Sequence, residues 1–126
     1  MQEQKKRYAL IFLIIFLAIS PMVYGESDLT QQGVAFLKAQ RFDEAIGVFT
    51  KVTTADPGNA KAIYYRGMAR YYKGDLDQAI ADYTQAIKID PNYATAYDNR
   101  ATAWYGQGND EQAEADLAKA KALRDE

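Results

Sequence analysis

The sequence predicts an all-α protein, an α-solenoid of three stacked antiparallel helix-turn-helix hairpins, and three observations predict it. The stretches "DPGNAKAIYYRG" from Asp56 and "DPNYATAYDNRA" from Asp90 begin 34 positions apart. The same interval separates Ala45, Ala79 and Ala113, then Gly33, Gly67 and Ala101, then Phe49, Tyr83 and Leu117. Between the turn signals, apolar residues recur at helical spacing, as at Ala79, Ile80, Tyr83, Ala86 and Ile87. A fixed period of this length marks a helical pair that cannot bury its apolar face alone and gains a continuous core by stacking on its copies.

The chain opens on a different pattern. Lys5, Lys6 and Arg7 precede an almost unbroken apolar run over residues 8–19, broken by Ser20-Pro21 and followed by Val23 and Gly25, two small residues placed as at a signal-peptidase site before Glu26. Residues 1–25 are therefore expected to be a signal peptide, with the remainder delivered outside the cytoplasm to a periplasmic or secreted setting. The competing expectation is an uncleaved membrane anchor, because extending the apolar segment to Tyr24 gives 17 residues, the lower limit for crossing a bilayer.

Residues 26–126 then divide into units 26–59, 60–93 and 94–126. In the first unit the turn between helices falls at Gln40-Arg41 and should be weakly capped. The second unit places Ile63, Gly67, Arg70 and Tyr71 at helical spacing, stops at Gly74 and restarts at Asp75, with Gln78 completing an approximate capping box. Its second helix ends at Asp90-Pro91. The third unit repeats the device with Gly108-Asn109 and Gln112. Gly67 lies inside a helix, where glycine costs about 1 kcal/mol relative to alanine, so a close approach of the paired helix, with Tyr83 filling the adjacent space, is expected to offset it.

Composition narrows the function classes. The 126 residues contain no Cys and no His, which removes disulfides, thiolate chemistry, the usual zinc ligands and the commonest general base. Residues 26–126 carry 12 Lys plus Arg against 16 Asp plus Glu, the totals of 15 and 17 less Lys5, Lys6, Arg7 and Glu3, for a net charge of −4. Such a body repels phosphate backbones, so no nucleic-acid partner is expected. The paired carboxylates Asp75 and Asp77, or Glu114 and Asp116, read as solvated residues at helix starts rather than as catalytic pairs, and no phosphate-cradling loop is present. No catalysis and no cofactor are expected.

The spaced positions resemble the tetratricopeptide repeat, whose motif stands best in "YYRGMARYYKGDLDQAIADYTQAIKIDP", with Gly67, Tyr71, Ala79, Tyr83, Ala86 and Pro91. The resemblance covers residues 26–126 and implies a concave binding face made by the first helix of each unit. On it would lie Lys61, Tyr64, Met68 and Tyr71, with Tyr65 and Tyr72 beside them, flanked by Ser27, Thr30, Val34 and Leu37 before and Thr95, Asp98, Thr102 and Tyr105 after. The candidate partner-binding residues are Tyr64, Tyr65, Met68, Tyr71, Asn99 and Tyr105, since tyrosines supply flat apolar area and a hydroxyl at low entropic cost. The plainer reading of half of these tyrosines is packing between repeats.

Family members that hold acidic chaperone C-termini resemble one another in a clamp of lysine, asparagine and arginine. The matching positions here hold Thr30, Val34, Tyr65, Thr95 and Asn99, so that clamp is absent. Lys61 and Arg66 read as solvated surface residues. In the third unit Asp110, Glu114 and Lys121 replace the apolar residues that would face a further repeat, which predicts a self-capping last helix and a monomer; a weak homodimer through Ala115, Ala118 and Ala122 is the opposing reading. Two functions follow as expectations: an exported adaptor that binds a peptide or partner helix in a Tyr-lined groove, or a membrane-anchored, self-associating structural subunit.

Overall fold

The computed structural model describes residues 2–7 and 25–126; the leader or anchor reading of residues 8–24 lies outside them. Residues 25–126 form six helices: α1 (Gly25–Lys38), α2 (Phe42–Ala55), α3 (Ala60–Lys73), α4 (Leu76–Ile89), α5 (Ala94–Gly106) and α6 (Asp110–Asp125). No strand occurs among the described residues. Helices pair as α1 with α2, α3 with α4 and α5 with α6, and α2 and α4 each pack on the hairpin that follows. The first helices α1, α3 and α5 also meet one another in series, which makes the inner wall of a solenoid.

Backbone chemistry sets the turns. Gly74 ends α3 in the left-handed region, φ 96°, with its N–H donating to Tyr71 O at 2.9 Å and the Asp75 N–H donating to Arg70 O at 2.9 Å. Gly108 repeats this at φ 77°. The first hairpin makes the same pair of bonds with Gln40 at φ 59°, a conformation that a Cβ disfavours, so this turn holds its shape at a cost the other two avoid. Between hairpins, Asp56 Oδ1 accepts from the Gly58 N–H and Asp90 Oδ1 from the Asn92 N–H, closing the two proline turns.

Two capping expectations are corrected. Asp75 and Asn109 stand at the N-cap positions of α4 and α6, but neither side chain accepts a bond from its helix. The Asp75 carboxylate is turned toward Lys73 instead, at 3.9 Å. The side chain that does cap is Asn59, whose Oδ1 accepts from the Ala62 N–H at 3.0 Å at the start of α3.

The core lies between the helices of each hairpin and between neighbours. A Cβ added at Gly67 would sit 2.8 Å from the Tyr83 ring, and one at Gly33 would sit 2.6 Å from the Phe49 ring. Each glycine thus admits a ring from the paired helix, the close approach that the sequence requires at Gly67. Ala101, the third copy of that position, is fully buried too.

A second joint crosses the same interfaces and corrects the reading of Arg66 as a solvated residue. From α3, Arg66 grips Asp82 of α4 with two bonds, at 2.8 and 3.0 Å, and donates a third to Thr53 Oγ1 of α2 at 3.1 Å. Arg70 adds a contact to Asp82 at 2.8 Å. One hairpin later, Arg100 grips Asp116 with two bonds of 2.7 Å and donates to Thr84 Oγ1 at 3.1 Å. Asp82 and Asp116 are buried, so Asp116 is an internal counter-charge and only Glu114 of that expected pair is solvated.

Candidate functional site: a trough along the first helices

α3 carries the wall of the site, because Tyr64 and Tyr65 near its start and Tyr71 and Tyr72 near its end fall at helical spacing along one side. Tyr64 is half-buried; its ring lies 5.0 Å from Tyr93 and 5.4 Å from Tyr65, and its hydroxyl accepts from Asn99 Nδ2 of α5 at 2.9 Å. Burial, the largest cause, raises its pKa above the ordinary tyrosine value, and it raises Tyr83 and Tyr93 similarly. These hydroxyls stay protonated and act as neutral donors and acceptors.

Tyr65 stacks on Phe49 at 5.6 Å, with the Lys61 ammonium 6.0 Å from its ring centre. Met68 and Tyr71 pack against the cluster of Ala79, Ile80, Tyr83 and Ala103. Among the described residues the most open ring is Tyr72, 58% exposed, stacked on Phe42 of α2 at 5.7 Å and edge-on to Tyr71 at 5.4 Å.

Three depressions run along this wall. The first, about 330 Å³ between α1 and α3, is lined by Thr30, Gln31, Val34, Ala35, Lys38, Lys61 and Tyr65. The second, about 520 Å³, is lined by Leu37, Lys38, Gln40, Phe42, Met68 and Tyr72. The third, about 290 Å³, is lined by Met68, Tyr71, Tyr72, Tyr83, Asn99 and Thr102. Lys38 belongs to the first two, and Met68 with Tyr72 to the last two, so the three adjoin one another as a trough.

Of the six residues expected to meet a partner, four line the depressions, Tyr65, Met68, Tyr71 and Asn99, while Tyr64 lines none of them and stands behind the wall, half-buried and bonded to Asn99. Tyr105, 45% exposed near the end of α5, lines none of the three depressions. Tyr72 and Leu37 were expected on this face but not among the six, and Lys38 and Phe42 were not expected there. Lys38 and Tyr72 occupy the same place in successive units, 34 residues apart, which is the signal that would have found them.

Charge is uneven along the trough. Lys73 is held by Asp43 at 2.7 Å, a hydrogen bond that raises its pKa, and the Arg66, Arg70 and Arg100 guanidiniums are committed to Asp82 and Asp116. Lys38 and Lys61 make no ion pair among the described residues. Among the described residues no group of three or more Cys, His, Asp or Glu converges as a metal site would require, and no helix is long and apolar enough to cross a membrane.

Fold and trough together define a right-sized helical-repeat scaffold with an open inner face. A family model for the TPR repeat matches residues 67–108. Among solved structures, the second TPR of Spaghetti (RPAP3), bound to the HSP90 peptide SRMEEVD, is similar at 30% identity over 78% of this chain and 91% of that one, TM-score 0.75. The first TPR of Spaghetti (RPAP3), bound to the same peptide, is similar at 28% identity over 78% of each chain, TM-score 0.76. MamA AMB-1 is similar at 27% identity over 86% of this chain, TM-score 0.75, and this chain spans 63% of its length. The chain belongs to the tetratricopeptide-repeat family. Among curated proteins, none matches the sequence.

Proposed function

We propose that this protein is a non-enzymatic interaction adaptor that receives a peptide or partner helix in its Tyr-lined trough, and that it does so outside the cytoplasm. The observation that carries the reading is the Phe42–Tyr72 stack, which leaves a large aromatic ring 58% exposed beside a depression. Rings that served only to join hairpins would be covered, as Phe49 and Tyr83 are. The exported setting draws its support from the basic start and apolar run that precede Glu26.

Relatives that bind SRMEEVD suggest a peptide ligand, but the residues here suggest a different one. Thr30, Val34, Tyr65, Thr95 and Asn99 stand where a carboxylate clamp would be, and the Asn99 amide is bonded to Tyr64. SRMEEVD is expected to bind no better than its scrambled sequence when measured by calorimetry.

The test places a photo-crosslinking amino acid at position 72 in one sample and at position 117 in another, each in the full chain in its native host. A discrete adduct from position 72, lost on irradiation at 117, supports the adaptor. The competing reading, a self-associating subunit, draws on Leu117, 39% exposed on α6. It predicts chain dimers from position 117 and nothing from 72, and that result would overturn the proposal.

A further inference from the structure

We infer that the trough is built for a segment in which acidic side chains flank a bulky apolar one, recognised within a chain rather than at its carboxyl end. The inference rests on the adaptor reading and specifies its partner. Its first support is charge. The depression between α1 and α3 is lined by two lysines and no carboxylate, on a body whose net charge is −4. Lys38 and Lys61 hold no ion pair among the described residues, although Asp or Glu neutralises other cations near the helix junctions. An anionic segment is drawn to that spot and a cationic one is repelled.

The second support is the adjacency of charge and apolar surface. Lys38 lines both the basic depression and the apolar one formed by Leu37, Phe42, Met68 and Tyr72. A ligand that satisfies both must therefore carry a carboxylate next to a large apolar side chain, which fits against the open face of Tyr72. Nucleic acid, whose phosphates recur along its whole length, is repelled by the −4 body outside the two-lysine depression.

The third support decides where in the ligand the acids lie. A terminal carboxylate is best held by a fork of fixed donors, as an arginine or an amide supplies. Here Arg66, Arg70 and Arg100 are turned to the opposite side and occupied by Asp82 and Asp116, and the Asn99 amide is occupied by Tyr64. What remains are two ammonium groups on flexible stems. These tolerate side-chain carboxylates at varied spacing and give no preference for a chain end.

The experiment measures binding of the full chain, by fluorescence anisotropy, to a labelled short peptide with a Leu-Trp centre flanked by glutamates, acetylated and amidated at its ends. Two controls are the same peptide with lysines for glutamates and the same peptide with a free carboxyl end. The expected result is salt-sensitive binding of the glutamate peptide, unchanged by freeing its end and weakened about tenfold in the Lys38→Glu, Lys61→Glu double variant. That variant should gain the lysine peptide, a swap that misfolding could not produce. Tyr72→Ala should weaken the glutamate peptide with its salt dependence retained. Equal binding of both peptides, binding only of the free-ended form, or binding indifferent to Lys38 and Lys61 would overturn the inference. If position 72 still crosslinks a partner in such a case, the adaptor reading stands and only its acidic specificity falls.

Discussion

The second and third hairpins occupy equivalent places 34 residues apart and are held together differently. Both keep the arginine, aspartate and threonine joint, as Arg66–Asp82–Thr53 and Arg100–Asp116–Thr84. The second adds a ring seated on a glycine, Tyr83 over Gly67, and Tyr83 is 1% exposed. In the third the same two positions hold Ala101 and Leu117, and Leu117 is 39% exposed. The first hairpin has the complementary set: Phe49 seated on Gly33, but Gln32 and Val48 where the others have arginine and aspartate. The difference teaches that a repeat needs one strong joint across its hairpin, that the joint can be apolar or ionic, and that only the middle unit has both.

The largest test of that comparison is at the ring position. Tyr83→Ala should cost about 3–5 kcal/mol, as for other buried aromatics, whereas Leu117→Ala should cost under about 1 kcal/mol because its side chain is already wet. Urea melts of the two variants check this. Equal losses would break the distinction between the hairpins.

Next in size is the buried charge. Asp82→Ala leaves Arg66 and Arg70 facing each other without a counter-ion and should cost about 3 kcal/mol; Asp116→Ala strands only Arg100 and should cost less. In the native protein the hydrogen bond to Asp116 raises the Arg100 pKa; the variant removes that cause and leaves burial, which lowers it, but a guanidinium keeps its proton at neutral pH and so stays stranded as a charge. Circular dichroism melts of the two variants give the ordering.

Smallest is a pair of glycine substitutions with opposite sign. Gly67→Ala drives a methyl into the Tyr83 ring and should destabilise by about 1–2 kcal/mol after the helix-propensity gain is counted. Gly47 lies inside α2 with nothing within 4 Å of its would-be Cβ, so Gly47→Ala should stabilise by about 0.5–1 kcal/mol. If Gly67→Ala raised the melting temperature as Gly47→Ala should, Gly67 would not be a packing glycine.

The fold was legible because its causes are periodic. Alanines, glycines, rings and prolines recur together, and each has one packing reason, so the helical hairpins and the Gly67–Tyr83 contact could be read directly from spacing. The ionic joint was equally periodic, since Arg66 and Arg100, like Asp82 and Asp116, are 34 apart. It was misread because charged residues at helical spacing ordinarily face water, and only the crossing of α2, α3 and α4 for the first joint, and of α4, α5 and α6 for the second, buries them. The trough was legible as a face but not residue by residue. Tyr71 and Tyr72 are neighbours in sequence, yet one is tucked against Tyr83's cluster and the other left open, a difference set by how α2 and α3 cross at Phe42. Gln40 shows the same limit: a left-handed turn is announced by Gly74 and Gly108 but not by glutamine.

The claim that the ionic joints and the trough occupy separate sides of one scaffold is most directly tested by hydrogen–deuterium exchange of the full chain with and without the glutamate-flanked peptide. Protection confined to backbone around Leu37–Phe42 and Met68–Tyr72, with α6 unchanged, is the predicted result. Protection centred on Glu114–Ala122 would contradict it.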